Sequence, residues 1–159
     1  MVAKDLIDEI QFRFLPGMGE GIYFELMIHA KKITTVPEKL YIYRSRTNSL
    51  SSTPSPEVNL DSMINNRIMG ERNPEYKEYF TFKVIEDLIH LIASAVKTND
   101  KLAYKNARHE LYKLNYLKNP YLSKFYKAEL PLYRYFIKVY ILPFNFNIAR
   151  LIYTFVYKP

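Results

Sequence analysis

The chain has 159 residues, 48% of them hydrophobic and 25% charged, a balance that suits one folded domain or two small lobes and excludes a disordered polar chain. It contains no Cys, so disulfides and thiolate metal sites are excluded and a reducing compartment is comfortable. The net charge of +7 is uneven: residues 1–99 hold 12 Lys/Arg against 13 Asp/Glu, whereas residues 100–159 hold 11 against 3, together with ten of the 15 tyrosines.

Residues 3–12 read as a short helix with Leu6, Ile7 and Ile10 on one side. Lys4, Asp5, Asp8 and Glu9 interrupt any signal-peptide-like apolar run, and nowhere does an unbroken apolar stretch of about 18 residues offer a spanning helix. Phe12, Phe14 and Leu15 alternate like a brief strand that Pro16-Gly17 ends. Residues 20–32 carry helical spacing at Phe24, Met27, Ile28 and Lys31, with Lys31-Lys32 suiting the C-terminal end. Ile33 to Val36 is β-branched and reads as a strand. After the turn at Pro37-Glu38-Lys39, Leu40 to Arg44 reads as a second strand.

Residues 51–58 form a Ser/Pro-rich linker within a longer loop, 45–59, that has little to bury. Asn59 or Asp61 is the expected cap of a helix over 60–69. A stronger helix is predicted over 74–97, where Phe80, Val84, Leu88, Leu91, Ile92 and Ala95 keep one apolar stripe and Glu86-Asp87 is expected on a solvated face. Asp100 opens a third helix to about Leu117; Pro120 stops it or starts the next, and Pro131 and Pro143 punctuate the final apolar segments. The predicted fold is mainly α with a small β element: residues 1–50 as one part, the linker 51–58, and a helical, basic, Tyr-rich region over 59–159.

Two short runs carry chemistry. Glu20-Gly21-Ile22-Tyr23-Phe24 places an acid at a helix start, where the helix dipole favours an ionised carboxylate. Leu40-Tyr41-Ile42-Tyr43-Arg44-Ser45-Arg46-Thr47-Asn48-Ser49 puts two guanidinium groups at the end of a strand, a spacing that can grip diphosphate oxygens. In this order, the runs resemble the end of the catalytic domain of family 2 glycosyltransferases, the inverting GT-A enzymes of bacterial capsule and O-antigen synthesis. The resemblance covers roughly residues 3–50. It implies a remnant of a GT-A sheet edge followed by a helical bundle. It also implies that Glu20 stands nearest the acceptor hydroxyl and that Arg44 and Arg46 stand at the donor diphosphate.

Departures from the family pattern matter as much. The E-D-x-x-F-type motif has Gly21 where the catalytic Asp belongs, and a glycine offers no proton acceptor. The upstream D-x-D motif that holds the donor through Mg or Mn does not occur, and Asp5 and Asp8 have helical spacing instead. The chain is therefore expected to be a fragment without the nucleotide-binding half, inactive alone and binding no metal by itself. A divalent cation, a nucleotide-sugar and a polysaccharide or lipid-linked acceptor belong to an intact enzyme. Against the catalytic role, Glu20 serves equally as a plain helix-start acid, and Phe24 and His29 are given no chemical role.

The tail over 130–158 alternates aromatics with sparse cations. In its last helix Ile148, Leu151, Ile152, Phe155 and Val156 form an apolar face, with Arg150, Tyr153, Tyr157 and Lys158 on the remainder. Two expectations stand side by side. One is an interfacial helix on anionic lipid, contacting it through Arg134, Lys138, Arg150 and Lys158, with the protein cytoplasmic and peripheral on the inner face of the cytoplasmic membrane. The other is a terminal helix docked on the bundle, or a non-catalytic module that binds a partner protein. The cations are dispersed and no nucleic-acid motif occurs, so nucleic acid is not an expected partner.

Overall fold

A computed structural model describes residues 4–10, 21–34, 37 and 56–156. These residues are mainly helical. Two helices come from the first part of the chain, α1 (Lys4–Glu9) and α2 (Gly21–His29). The rest form a bundle of α3 (Pro56–Arg72), α4 (Lys77–Thr98), α5 (Lys101–Lys113), α6 (Lys127–Glu129), α7 (Leu132–Phe136) and α8 (Phe146–Val156). Ile33 and Thr34 lie in no strand. The other residues of the expected β element, at 12–15, 35–36 and 40–44, lie outside the described residues.

The organising element is α4. The sequence suggested one apolar stripe, but Phe82, Ile85, Ile89 and Val96 are buried together with Phe80, Val84, Leu88, Ile92 and Ala95. A helix that is apolar on most sides belongs in the middle of a bundle. The antiparallel neighbours α3 and α5 cover two of its flanks, and Val139, Leu142 and Ala149 of the tail join the same core. Gly70 marks a close approach of α3, where an added Cβ would meet the Cβ of Phe80 at 3.2 Å. Each fully buried aliphatic here adds about 1.5–3 kcal/mol of burial.

The helix ends follow local chemistry. α3 begins at Pro56, earlier than the expected cap at Asn59 or Asp61, because proline's fixed φ and missing N–H suit the first helical position. α4 stops at Asn99, which takes the left-handed conformation (φ 60°), a shape asparagine tolerates better than most residues. Asp100 caps α5 as its sequence suggests, accepting a hydrogen bond from the Ala103 N–H at 2.9 Å. α5 then ends at Lys113, short of Leu117; Asn115 is left-handed (φ 48°) and a 3-10 turn follows at Tyr116–Lys118.

Two wide turns replace regular helix in the tail, at Leu122–Tyr126 and Ile137–Ile141. In the second, the Leu142 N–H reaches back five residues to the Ile137 carbonyl at 2.8 Å, the signature of a π-helical turn. Side chains from the bundle hold carbonyls in and directly after it: the Tyr116 hydroxyl donates to Val139 and the Tyr104 hydroxyl to Leu142, each at 2.8 Å. α8 then starts behind Asn145, whose Oδ1 accepts from the Asn147 and Ile148 N–H groups.

Candidate functional site

α2 joins the first part of the chain to the bundle. Gly21 is its first residue. Phe24, one turn on, stacks on Tyr79 (ring centroids 5.0 Å apart) and meets Phe80 and Tyr76 edge-on at 4.9 and 5.3 Å. These rings continue through Phe82 and Tyr121 to Phe125, an aromatic seam along one side of α4. Phe24 is thus a packing residue. Glu20, Arg44 and Arg46, the proposed acid and donor-diphosphate residues, lie outside the described residues, as does Lys158. Among the described residues no group of three or more His, Cys, Asp or Glu side chains converges to hold a metal ion.

One carboxylate departs from expectation. Asp87 is not on a solvated face; it is 8% exposed, between α3 and α4. Its Oδ2 accepts hydrogen bonds from the Ser62 hydroxyl and the Asn66 amide, both at 3.0 Å, and Asn66 also donates to Ser62 at 3.3 Å. Burial pushes the Asp87 carboxyl up to about 6 even though both hydrogen bonds and the Lys83 ammonium favour the charge. The signal was present in the sequence. Asp87 lies seven residues after Phe80 and three after Val84, on the core side, and Ser62 and Asn66 are four apart on the facing helix. Its neighbour Glu86 pairs with Lys83.

The tail presents a series of exposed apolar side chains. Leu132, Phe136, Tyr140 and Phe144, spaced by four, are all exposed, with Tyr133 beside them and Ile148 and Leu151 continuing onto α8. The inward set is Tyr135, Val139, Leu142 and Ala149. The apolar face expected on α8 is therefore divided. Ile148 and Leu151 point to solvent, while Ala149 is fully buried and Tyr153, assigned to the polar side, packs against the core. The physical reason is crowding: a helix lying close on α4 admits the small Ala149 at the contact, and a tyrosine ring fits at its margin.

The cations of the tail differ in setting. Arg134 is exposed and its Nε donates to the Tyr133 hydroxyl at 3.0 Å. Lys138 is half-buried. Desolvation holds its pKa below the usual lysine value, with Arg134 repulsion adding and Glu86 attraction opposing. Arg150 donates to the Asn99 Oδ1 at 2.8 Å, tying α8 to the α4–α5 corner.

A second basic surface, absent from the sequence-based expectations, runs along α5. Lys105, Arg108, His109 and Tyr112 share one helical face and, with Asn106, line an open depression of about 340 Å³. Arg108 Nε donates to the Pro143 carbonyl at 2.7 Å, and its guanidinium lies 4.9 Å over the Tyr112 ring. The neighbouring acid, Glu110, is occupied by Lys113 at 2.7 Å and by Arg67 at 3.4 Å.

No family model, curated protein or solved structure matches this chain. No helix among the described residues is long and apolar enough to cross a membrane.

Proposed function

We propose that this chain is the carboxyl-terminal part of an inverting family 2 glycosyltransferase of surface-polysaccharide synthesis, transferring a sugar from a nucleotide-sugar to a polysaccharide or lipid-linked acceptor. The observation that carries this reading is the seat of α2. The helix starts at Gly21, directly after Glu20 in sequence, and Phe24 of the same motif anchors it on the aromatic seam of the bundle. An acid at a helix start, followed by an anchoring aromatic, is the arrangement this chemistry uses. The small β element and the remnant of a GT-A sheet edge belong to this proposal.

In the reaction, the acceptor oxygen forms a bond to the anomeric carbon as the bond from that carbon to the diphosphate oxygen breaks. The proton of the acceptor hydroxyl goes to the Glu20 carboxylate. The charge on the departing nucleoside diphosphate is met by Arg44 and Arg46. A divalent cation, if an intact enzyme bound one, would add charge neutralisation at the diphosphate; no residue of this chain is assigned to hold it.

The deciding experiment is the DNA sequence upstream of the Met1 codon in the native locus. An in-frame α/β half with a D-x-D motif is the expected result. A start signal with no such half nearby would sink the proposal. In the intact protein Glu20→Gln is expected to lower kcat about 10²–10⁴-fold, as loss of a general base does. If Gly21→Asp raises kcat while Glu20→Gln leaves it unchanged, the acid has been misassigned. The 159-residue chain alone is expected to show no donor turnover.

A second reading concerns the bundle: it rests on an anionic membrane surface. Its support is the exposed row Leu132, Phe136, Tyr140 and Phe144, flanked by Arg134 in a strongly basic segment, the composition of an interfacial element. Salt-sensitive co-sedimentation with anionic vesicles, weakened by Arg134→Glu, is expected. Equal pelleting with neutral and anionic vesicles would count against it.

A further inference from the structure

The basic face of α5 and the apolar row of the tail meet at one point. Arg108 Nε is bonded to the carbonyl of Pro143, and the next residue, Phe144, is 64% exposed, among the most exposed large apolar side chains described. Tyr104 and Tyr116, on either side of Arg108 along the chain, fix Leu142 and Val139 in the same way. The α5 depression is therefore held beside the corner that carries Phe144, and these hydrogen bonds make the arrangement rigid.

The depression is rich in donors. Lys105 supplies an ammonium, Arg108 the guanidinium N–H groups not engaged by Pro143, and His109 a ring N–H, while the Tyr112 hydroxyl is engaged with that of Tyr116. Their spacing of three and four residues puts all of them on one face. Tyr112, beneath the Arg108 guanidinium, limits its freedom to turn away. The one acid on this stretch of α5, Glu110, is engaged by Lys113 and Arg67. Several donors with two fixed charges suit a group carrying nearly two negative charges and three exposed oxygens, which describes a phosphate monoester better than a diester.

We propose that this depression, lined by Lys105, Arg108, His109 and Tyr112, binds the phosphate monoester headgroup of a membrane lipid while Phe144 enters the apolar layer beside it. The proposal rests on the membrane reading of the bundle given above. It adds a headgroup preference that a basic, apolar surface alone does not produce.

The test is co-sedimentation of the full chain with vesicles of neutral phosphatidylcholine carrying either phosphatidic acid, a monoester, or phosphatidylglycerol, a diester, at matched surface charge. The wild-type chain is expected to bind the monoester vesicles more tightly. Arg108 also supports the Pro143 carbonyl, so the informative variant is Lys105→Gln with His109→Gln, two exposed side chains. Loss of a cation near a lipid surface weakens binding about fivefold. The double variant is expected to lose about that much on both anionic vesicles and, beyond it, to lose the preference for the monoester.

Equal wild-type binding to the two anionic vesicles, or unchanged monoester preference in the double variant, overturns the headgroup site and leaves the membrane reading standing. No binding to any vesicle overturns both. Full competition by inorganic phosphate at equimolar concentration with the lipid assigns the site to a soluble phosphate and overturns the lipid assignment.

Discussion

Asp87 shows how a single residue can make stability depend on pH. Its carboxyl sits at about 6, against an ordinary value of 3.8, because it is buried between α3 and α4. Between these two values the folded state holds the proton that the unfolded state has released. Stability therefore falls as pH rises from about 4 to about 6 and stays lower above that range, by at most about 3 kcal/mol. Asp87→Asn keeps an oxygen for Ser62 and Asn66 and removes the titration. Urea unfolding of this variant is expected to show a flatter stability profile over this range and a gain of about 1–2 kcal/mol at pH 8 relative to wild type. His90 titrates in both proteins and cancels in the difference. An unchanged slope would mean that Asp87 titrates as an ordinary surface carboxylate.

At the scale of elements, regular helices could be read from the sequence and irregular ones could not. The apolar positions of α4 and the Asp100 cap of α5 are visible because each rests on spacing or on a local hydrogen bond. The burial of the remaining sides of α4 depends on which helices cover it, and a single helix's period carries no record of its neighbours. The π turn at Ile137–Ile141 is equally hidden. It is set by the hydroxyls of Tyr104 and Tyr116, 38 and 23 residues from the carbonyls they reach. Those bonds predict their own removal. Tyr104→Phe and Tyr116→Phe each leave a buried carbonyl without its donor, so each is expected to cost about 1–3 kcal/mol in chemical denaturation. Because both act on one turn, the double variant is expected to cost less than the sum of the two. Strict additivity would mean that the turn is held elsewhere. The site residues Glu20, Arg44 and Arg46 were legible only as a motif, since a family-like order of residue types carries no distance between them.

At the scale of the whole molecule, positive charge and, among the described residues, most of the exposed large apolar side chains gather in the same part of the chain. The N-terminal 99 residues are nearly neutral, while the last 60 are strongly basic and carry the exposed row from Leu132 to Leu151. A bundle whose core was all that mattered would gain nothing from leaving Phe136 and Phe144 at 50% and 64% exposure, because each keeps apolar area in water that folding does not recover. The two rings give a prediction that separates binding from stability. Replacing both with Ser removes little buried area, so the thermal midpoint is expected to stay within a few degrees of wild type. On a membrane each ring contributes up to about 1.5–3 kcal/mol when fully withdrawn from water. The double variant is therefore expected to lose at least tenfold in binding to anionic vesicles, with its salt dependence unchanged because no cation has been altered. Loss of vesicle binding together with a collapsed thermal midpoint would instead identify the row as part of the fold, covered by a neighbouring segment. Wild-type binding by the double variant would reduce the membrane contact to electrostatics alone, and the exposed aromatic row would then have to meet a protein partner.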